Sequence, residues 1–160
     1  MGQLPESIEQ LLVGSDAKPP KKADLLVSSH EFPEVKRFDA QKRILLVDDV
    51  EDIRIMLRFT ISKVFPRVQI VEAPSGMLAS VELAKAPYDL VISDVNMLNG
   101  DGIWLHFFME QYHSSTPLLF FACSPEHIPA VARSRKVFAK TDANGLVNEL
   151  IARWNTDETR

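Results

Sequence analysis

A chain of 160 residues, of which 46% are hydrophobic and 25% charged, can form one ordinary globular domain with some length to spare. Its formal net charge of −4 and its lack of a long lysine or arginine run give no reason to expect nucleic acid as a partner. A lone cysteine, Cys123, excludes a disulfide framework and a thiolate metal cluster, and the absence of a secretory signal and of an apolar run of membrane-spanning length predicts a cytoplasmic protein without a membrane partner.

Residues 1–40 differ from the rest of the chain and are predicted to form an arm, not a domain. The segment begins with four apolar residues at the spacing of one face of a short amphipathic helix: Leu4, Ile8, Leu11 and Leu12. The stretch GSDAKPPKKAD at 14–24 then predicts an extended or flexible, proline-rich linker. Two binding partners for the apolar stripe remain open, namely the chain's own domain and a second copy of the chain.

Residues 41–156 are predicted to form a domain in which apolar runs of strand length alternate with helical segments. The runs are RILLV (43–47), VQIVE (68–72), DLVIS (89–93), PLLFFA (117–122) and KVFA (136–139). The segments between and after them carry apolar residues at helical spacing, in chain order Ile53, Leu57, Ile61 and Val64, then Leu78, Val81 and Leu83, then Ile103 to Phe108, and finally Leu146, Val147, Leu150, Ile151 and Trp154.

This alternation predicts an α/β fold with a doubly wound, five-stranded parallel sheet of the flavodoxin-like order 2-1-3-4-5. Pro125 and Pro129 fall where the fourth helix is expected, and they predict that this helix is shortened. Residues 157–160 are predicted to be a polar tail.

Polar residues follow four of the five predicted strands, at the edge where such sheets bind ligands. Asp48 and Asp49 follow the first strand, Asp94 the third, Ser124 comes shortly after the fourth, and Lys140 follows the fifth. Three carboxylates close together repel one another unless a cation joins them, and their hard oxygen atoms suit Mg²⁺. A carboxylate beside this ion can act as a nucleophile toward a phosphoryl group, while a lysine offsets the charge.

The same residues also have simpler, structural interpretations. Asp48 or Asp49 can cap the helix that follows, and Asp94 can form an Asx-turn. Ser124 can cap the next helical turn or donate to a phosphoryl group. Cys123 is most simply a small apolar residue at a strand end, although its bulk can also keep water from an aspartyl phosphate.

From about Lys42 to Trp154 the chain resembles the response-regulator receiver domain of two-component signalling. The resemblance rests on ILLVDDVEDIR, on YDLVISDVNMLNGDG at 88–102 and on VFAKT at 137–141. It implies that Asp94 is the phosphoacceptor and that Lys140 contacts the phosphoryl group. It also implies that Mg²⁺ is held by Asp48, Asp49, Asp94 and the backbone carbonyl of Asn96.

Some positions depart from the family pattern. Ala122 stands where the family has a switch serine or threonine, and Ser124, two residues later, is the remaining candidate for a hydroxyl donor. Val137 occupies the place of an aromatic switch partner, and Thr141 the place of a proline.

By this resemblance, the chain is expected to be a non-enzymatic response regulator that takes a phosphoryl group from a histidine kinase or a phosphotransfer protein. Its output is then expected through contact with a downstream protein, and a homodimer through the arm or the output face is an open option. The alternative is a degenerate receiver that serves as a phosphorylation-independent interaction scaffold. An aspartate-dependent phosphatase is disfavoured because Asn96 stands where such enzymes have a second aspartate.

Overall fold

The computed structural model of the chain describes residues 41–157. The helix predicted in the arm and most of the predicted polar tail lie outside these residues. The described part contains a single parallel sheet of five strands: β1 (Arg43–Val47), β2 (Gln69–Ala73), β3 (Leu90–Ser93), β4 (Leu118–Ala122) and β5 (Lys136–Ala139). Their order is β2-β1-β3-β4-β5, which confirms the predicted doubly wound, flavodoxin-like topology.

Four α-helices connect or follow the strands: α1 (Glu51–Val64), α2 (Gly76–Lys85), α3 (Gly102–Tyr112) and α4 (Ala143–Asp157). Within residues 41–157, none of the helices is both long and apolar enough to cross a membrane. The chain moves along the sheet in one direction through α1 and in the other through α2 and α3. Because such crossovers are right-handed, α1 and α4 cover one face of the sheet, and α2 and α3 cover the other.

The sheet buries side chains on both faces because successive residues of a strand point in opposite directions. Leu45 and Val47 pack in one cluster with residues of α2 and α3, such as Leu83 and Met109. Leu46, which lies between them in sequence, is also buried and therefore faces α1 and α4. Burial of β1, β3 and β4 on both faces explains why these strands are continuous apolar runs.

The apolar stripe predicted for the second helix is wrong in part. Leu83 is buried, but Leu78 and Val81 are 51% and 49% exposed. The other two buried residues of α2 are small, namely Gly76, which packs against the backbone of Gly100 and Asp101, and Ala79, which lies in the core cluster. A pattern of large apolar residues alone could not find this face, because two of its three buried residues are small.

The segment between β4 and β5 confirms the predicted shortening of the fourth helix, because no α-helix forms there. It contains two single-turn 3₁₀ helices, Pro125–His127 and Ala130–Ala132, in place of an α-helix. Pro125 opens the first turn and Pro129 precedes the second, so neither residue supplies an amide hydrogen for a continuous helix. Ile128 and Ala132, both buried, cover this part of the sheet.

Candidate functional site

Three strand ends bring an ammonium group and two carboxylates into contact at one edge of the sheet. The Nζ atom of Lys140, just after β5, lies 2.7 Å from Asp48 Oδ2 and 2.7 Å from Asp94 Oδ2. All three side chains are largely buried, with exposed fractions of 10%, 4% and 8%. The lysine and the two acids that were predicted to meet are therefore joined by two short, charge-assisted hydrogen bonds.

Asp48 is held by the loop between β1 and α1. Its Oδ1 atom accepts a hydrogen bond of 2.9 Å from the amide of Val50. Val50, not an aspartate, occupies the N-cap position of α1, and it makes no capping hydrogen bond with its side chain. The capping role considered for Asp48 and Asp49 is therefore wrong, and both carboxylates are left for the edge of the sheet.

Asp94 is held by the first residues of the loop that leads into α3. Its Oδ1 atom accepts hydrogen bonds from the amides of Val95 at 2.6 Å and Asn96 at 3.4 Å. The second of these is the Asx-type contact considered from the sequence, and it coexists with the contact to Lys140. Both carboxylate oxygens of Asp94 thus have donors, which fixes the orientation of the group.

Burial and charge act against each other in this cluster. Burial raises the pKa of the Asp48 carboxyl above its ordinary value, and the hydrogen bonds from Lys140 and Val50 oppose that rise without cancelling it. Burial alone would lower the pKa of Lys140, but the hydrogen bonds and charges of Asp48 and Asp94 outweigh it and raise that pKa. Lys140 is therefore positively charged at neutral pH, in contact with two carboxyl groups.

The third carboxylate makes the cluster suitable for a divalent cation. One oxygen from each of Asp48, Asp49 and Asp94 can be chosen so that all lie within 4.8 Å of one another. Asp49 is exposed, and its carboxylate forms no hydrogen bond or ion pair within residues 41–157. A cleft of about 290 Å³ opens beside it, lined by Asp49, Asn96, Met97, Leu98 and Asp101. An all-oxygen donor set with room for water fits Mg²⁺.

The fourth strand ends in a residue without a hydroxyl group, where the family has a switch serine or threonine. Ala122 is the buried last residue of β4, and its carbonyl oxygen accepts a 2.9 Å hydrogen bond from the amide of Lys140. Cys123 directly follows the last residue of β4, the strand end expected from the sequence, and it is exposed there. The role considered for its bulk beside an aspartyl phosphate stays a prediction. The hydroxyl of Ser124 makes no capping hydrogen bond to the turn that follows. Its role as a phosphoryl donor stays a prediction.

Two further residues support the site, and the first of them was missed from the sequence. Arg54 of α1 donates a hydrogen bond of 2.6 Å to the backbone carbonyl of Asp48, and Glu72 of β2 holds its guanidinium at 3.2 Å. Gly102 packs against the backbone of Asp94, leaving no room for a side chain. The position of Arg54 one turn into the helix after the acidic pair was the available signal for the first. Gly102, the second, is the last residue of the motif at 88–102 on which the resemblance rests.

The sequence matches a known family over the part of the chain that contains this site. The family described as "Response regulator receiver domain" matches residues 44–141. The response regulator protein PilR of Pseudomonas aeruginosa is 30% identical over 79 residues, which make up 49% of this chain and 17% of PilR. This chain therefore corresponds to a small part of that relative.

Solved structures resemble the fold. The signal receiver domain of an HD domain-containing protein from Pseudomonas fluorescens Pf-5 has a TM-score of 0.64 and 26% identity, covering 74% of this chain and 97% of its own. Chemotaxis protein CheY4 of Vibrio cholerae has a TM-score of 0.59 and 26% identity, with coverage of 69% and 97%. TrrA of Thermotoga maritima, solved in complex with Mg²⁺-BeF, has a TM-score of 0.64 at 21% identity, with coverage of 71% and 99%, a likeness of fold alone.

Proposed function

Since this chain belongs to the response regulator receiver domain family, we propose that it accepts one phosphoryl group on Asp94 from a histidine kinase or a phosphotransfer protein. The observation that carries the proposal is the position of Lys140, which lies 2.7 Å from both Asp48 and Asp94. A cation held at this distance from a buried carboxylate is also positioned to neutralise oxygens of a group transferred to that carboxylate.

The residues of the site divide the chemistry between them. A carboxylate oxygen of Asp94 attacks the phosphorus of a phosphohistidine, the bond to the imidazole nitrogen breaks, and an acyl phosphate remains on the protein. The amides of Val95 and Asn96 hold the carboxylate in place during the attack. Mg²⁺, bound by Asp48, Asp49, Asp94 and the backbone carbonyl of Asn96, would supply further positive charge to the phosphoryl oxygens.

In this proposal the protein is a signalling phosphoacceptor and not an enzyme, and its output is contact with a downstream protein. Phosphorylation adds about −1.5 to −2 charges next to Lys140. We expect this change to move Lys140 and the loop after Asp94, because both already bind that carboxylate. The cytoplasmic location inferred from the sequence stays a prediction.

Mass spectrometry after incubation with Mg²⁺ and a small acyl phosphate tests the proposal. The wild-type chain should gain one phosphoryl group, and Asp94→Asn should gain none. Asp52→Asn is the matched control, since Asp52 is an exposed carboxylate in the first turn of α1 and should not affect the reaction. Incorporation into Asp94→Asn at the wild-type level would refute the assignment.

A phosphorylation-independent scaffold remains the second candidate, and the methyl group of Ala122 favours it. A hydroxyl at this position would give the phosphoryl group a donor on β4, and alanine gives none. The two candidates differ in how partner binding responds to phosphate. If the chain is phosphorylated on Asp94 and a captured partner binds both forms with equal affinity, the scaffold is correct.

A further inference from the structure

The surface formed by α2 and α3 exposes an unusual number of large apolar side chains. Its six members are Met77 (57% exposed), Leu78 (51%), Val81 (49%), Trp104 (43%), Phe107 (50%) and Tyr112 (63%). We call this surface the α2–α3 face. It includes the two residues of α2 that were predicted, wrongly, to be buried, and it lies on the side of the sheet opposite α1.

Trp104 and Tyr112 of the α2–α3 face are connected through the half-buried ring of Phe108. The rings of Trp104 and Phe108 stack with centroids 5.6 Å apart, and those of Phe108 and Tyr112 lie 5.1 Å apart, so an aromatic row runs along α3. At the start of the helices Gly100 joins the row to α2. A Cβ atom at Gly100 would lie 3.2 Å from Met77 Cγ and 3.3 Å from Trp104 Cε3, so these two side chains meet over a residue that has none.

Few charges interrupt this surface. Glu110 is the single charged residue of α3, and it lies 3.6 Å from Arg135 and 3.5 Å from His106, toward the segment before β5. The two charged residues of α2, Glu82 and Lys85, form an ion pair with each other at 2.6 Å. Two such faces could therefore approach one another without bringing like, unpaired charges together.

The exposed area is in the range that a dimer requires. Aromatic side chains present about 150–250 Å² each when fully exposed, so the fractions of Trp104, Phe107 and Tyr112 imply roughly 300 Å², and the three aliphatic members bring the total to the order of 500 Å². A standard interface buries about 800 Å² on each partner, and a homodimer interface is about 65% apolar, so it needs about 500 Å² of apolar surface on each side.

We propose that the α2–α3 face binds the same face of a second copy of this chain. Residues 104, 108 and 112 follow the i, i+4, i+8 spacing of a helix ridge, and ridges of this kind pack into the grooves between the ridges of another helix. In a dimer with twofold symmetry each α3 supplies both ridge and groove, so one surface is sufficient for both partners. The proposal does not depend on phosphorylation of Asp94.

Sedimentation of the full chain from about 1 to about 300 µM tests the proposal through the dimer dissociation constant. The double variant Met77→Lys/Tyr112→Lys places two cations on the face at well exposed positions and should raise the constant at least tenfold. Ile55→Lys/Phe59→Lys is the matched control, because these residues of α1 are 43% and 72% exposed on the other side of the sheet. It should leave the constant unchanged.

Far-UV circular dichroism and the urea midpoint of each variant establish that all of them are folded, so a changed constant reports the interface. A wild-type chain that stays monomeric over this range overturns the proposal. A dimer that the α2–α3 variant leaves intact, or that the α1 control weakens equally, also overturns it and assigns association to another surface.

Discussion

The α-carbon of Gly102 packs against the backbone carbonyl oxygen of Asp94 so closely that any side chain at position 102 would overlap with it. One hydrogen bond, of 2.8 Å from the amide of Gly102 to Val95 O, holds the two segments together, and beside it Ser93 Oγ donates to the neighbouring Asp94 O at 2.7 Å. The first residue of α3 therefore fixes the backbone that carries the Asp94 carboxylate.

Gly102→Ala should lower the free energy of unfolding by about 1–3 kcal/mol, because the new methyl group must displace backbone atoms. It should also slow phosphoryl incorporation, since the displaced backbone carries Asp94. Urea denaturation and mass spectrometry measure the two effects. Gly145→Ala is the control, because its methyl group would meet the side chain of Asp142 and not backbone, so it should cost at most about 1 kcal/mol through the hydrogen bond from the Gly145 amide to Asp142 Oδ1. Equal losses in the two variants would contradict the argument.

Lys140→Met should destabilise the protein by about 3 kcal/mol at neutral pH without Mg²⁺, because it leaves two buried carboxylates without their cation. Adding millimolar Mg²⁺ should reduce this loss, since the ion supplies the missing charge. Chemical denaturation with and without Mg²⁺ measures both quantities. Lys136→Met, at a lysine that is 59% exposed, should cost at most about 1 kcal/mol and show no such recovery. A loss at Lys140 that is insensitive to Mg²⁺ would count against the ion site.

Asp49→Asn should weaken Mg²⁺ binding at least tenfold and leave the free energy of unfolding without the ion equal or slightly higher. The reason is that Asp49 adds a third negative charge to the cluster while being exposed and outside the contacts of Lys140. Titration with Mg²⁺ followed by the fluorescence of Trp104, with Asp52→Asn as the control, gives the affinities. Unchanged Mg²⁺ affinity would remove Asp49 from the site.

Glu149→Gln should lower stability at pH 7 by about 0.5–1 kcal/mol, and the difference should shrink as the solution is acidified. Burial would raise the pKa of Glu149, but hydrogen bonds from Lys136 and Arg153, at 2.6 and 2.7 Å, hold it below the ordinary value of 4.5. A carboxyl whose pKa is lower in the folded state stabilises the fold above its unfolded pKa and loses that contribution as the pH falls through the folded one. Urea midpoints at pH 7, 5 and 4 test the trend, and a difference that grows on acidification would contradict it.

The sheet could be predicted from the sequence because burial on both faces leaves a plain signal. The predicted limits of β1 and β5 agree with the structure, and those of the other three strands agree within one residue. Placement of Asp48, Asp94 and Lys140 at one edge follows from parallel strands, whose carboxyl ends lie together. The sequence therefore predicts both the fold and the residues that form the cluster.

Other features depended on distances that no local pattern encodes. The packing face of α2 was missed because Gly76 and Ala79, not the larger Leu78, contact the neighbouring elements. Arg54 supports Asp48 because its guanidinium donates a hydrogen bond to the backbone carbonyl of Asp48, six residues earlier in the chain. Such a contact depends on the angle between strand and helix. Two prolines predicted that the helix between β4 and β5 is shortened. They did not predict that two 3₁₀ turns replace it completely.

The loop from Val95 to Asp101 has hydrogen bonds at both of its ends. Near its start the amide of Val95 binds the Asp94 carboxylate, and near its end the carbonyls of Asn99 and Gly100 accept hydrogen bonds from Met77 and Gly76 at 3.3 and 2.7 Å. Thermodynamic coupling between two sites is reciprocal. If a charge added at Asp94 alters the affinity of a molecule bound at Met77, that molecule alters the phosphorylation equilibrium by the same factor. Occupancy of a surface remote from the chemistry would then help to set how much phosphate the protein retains.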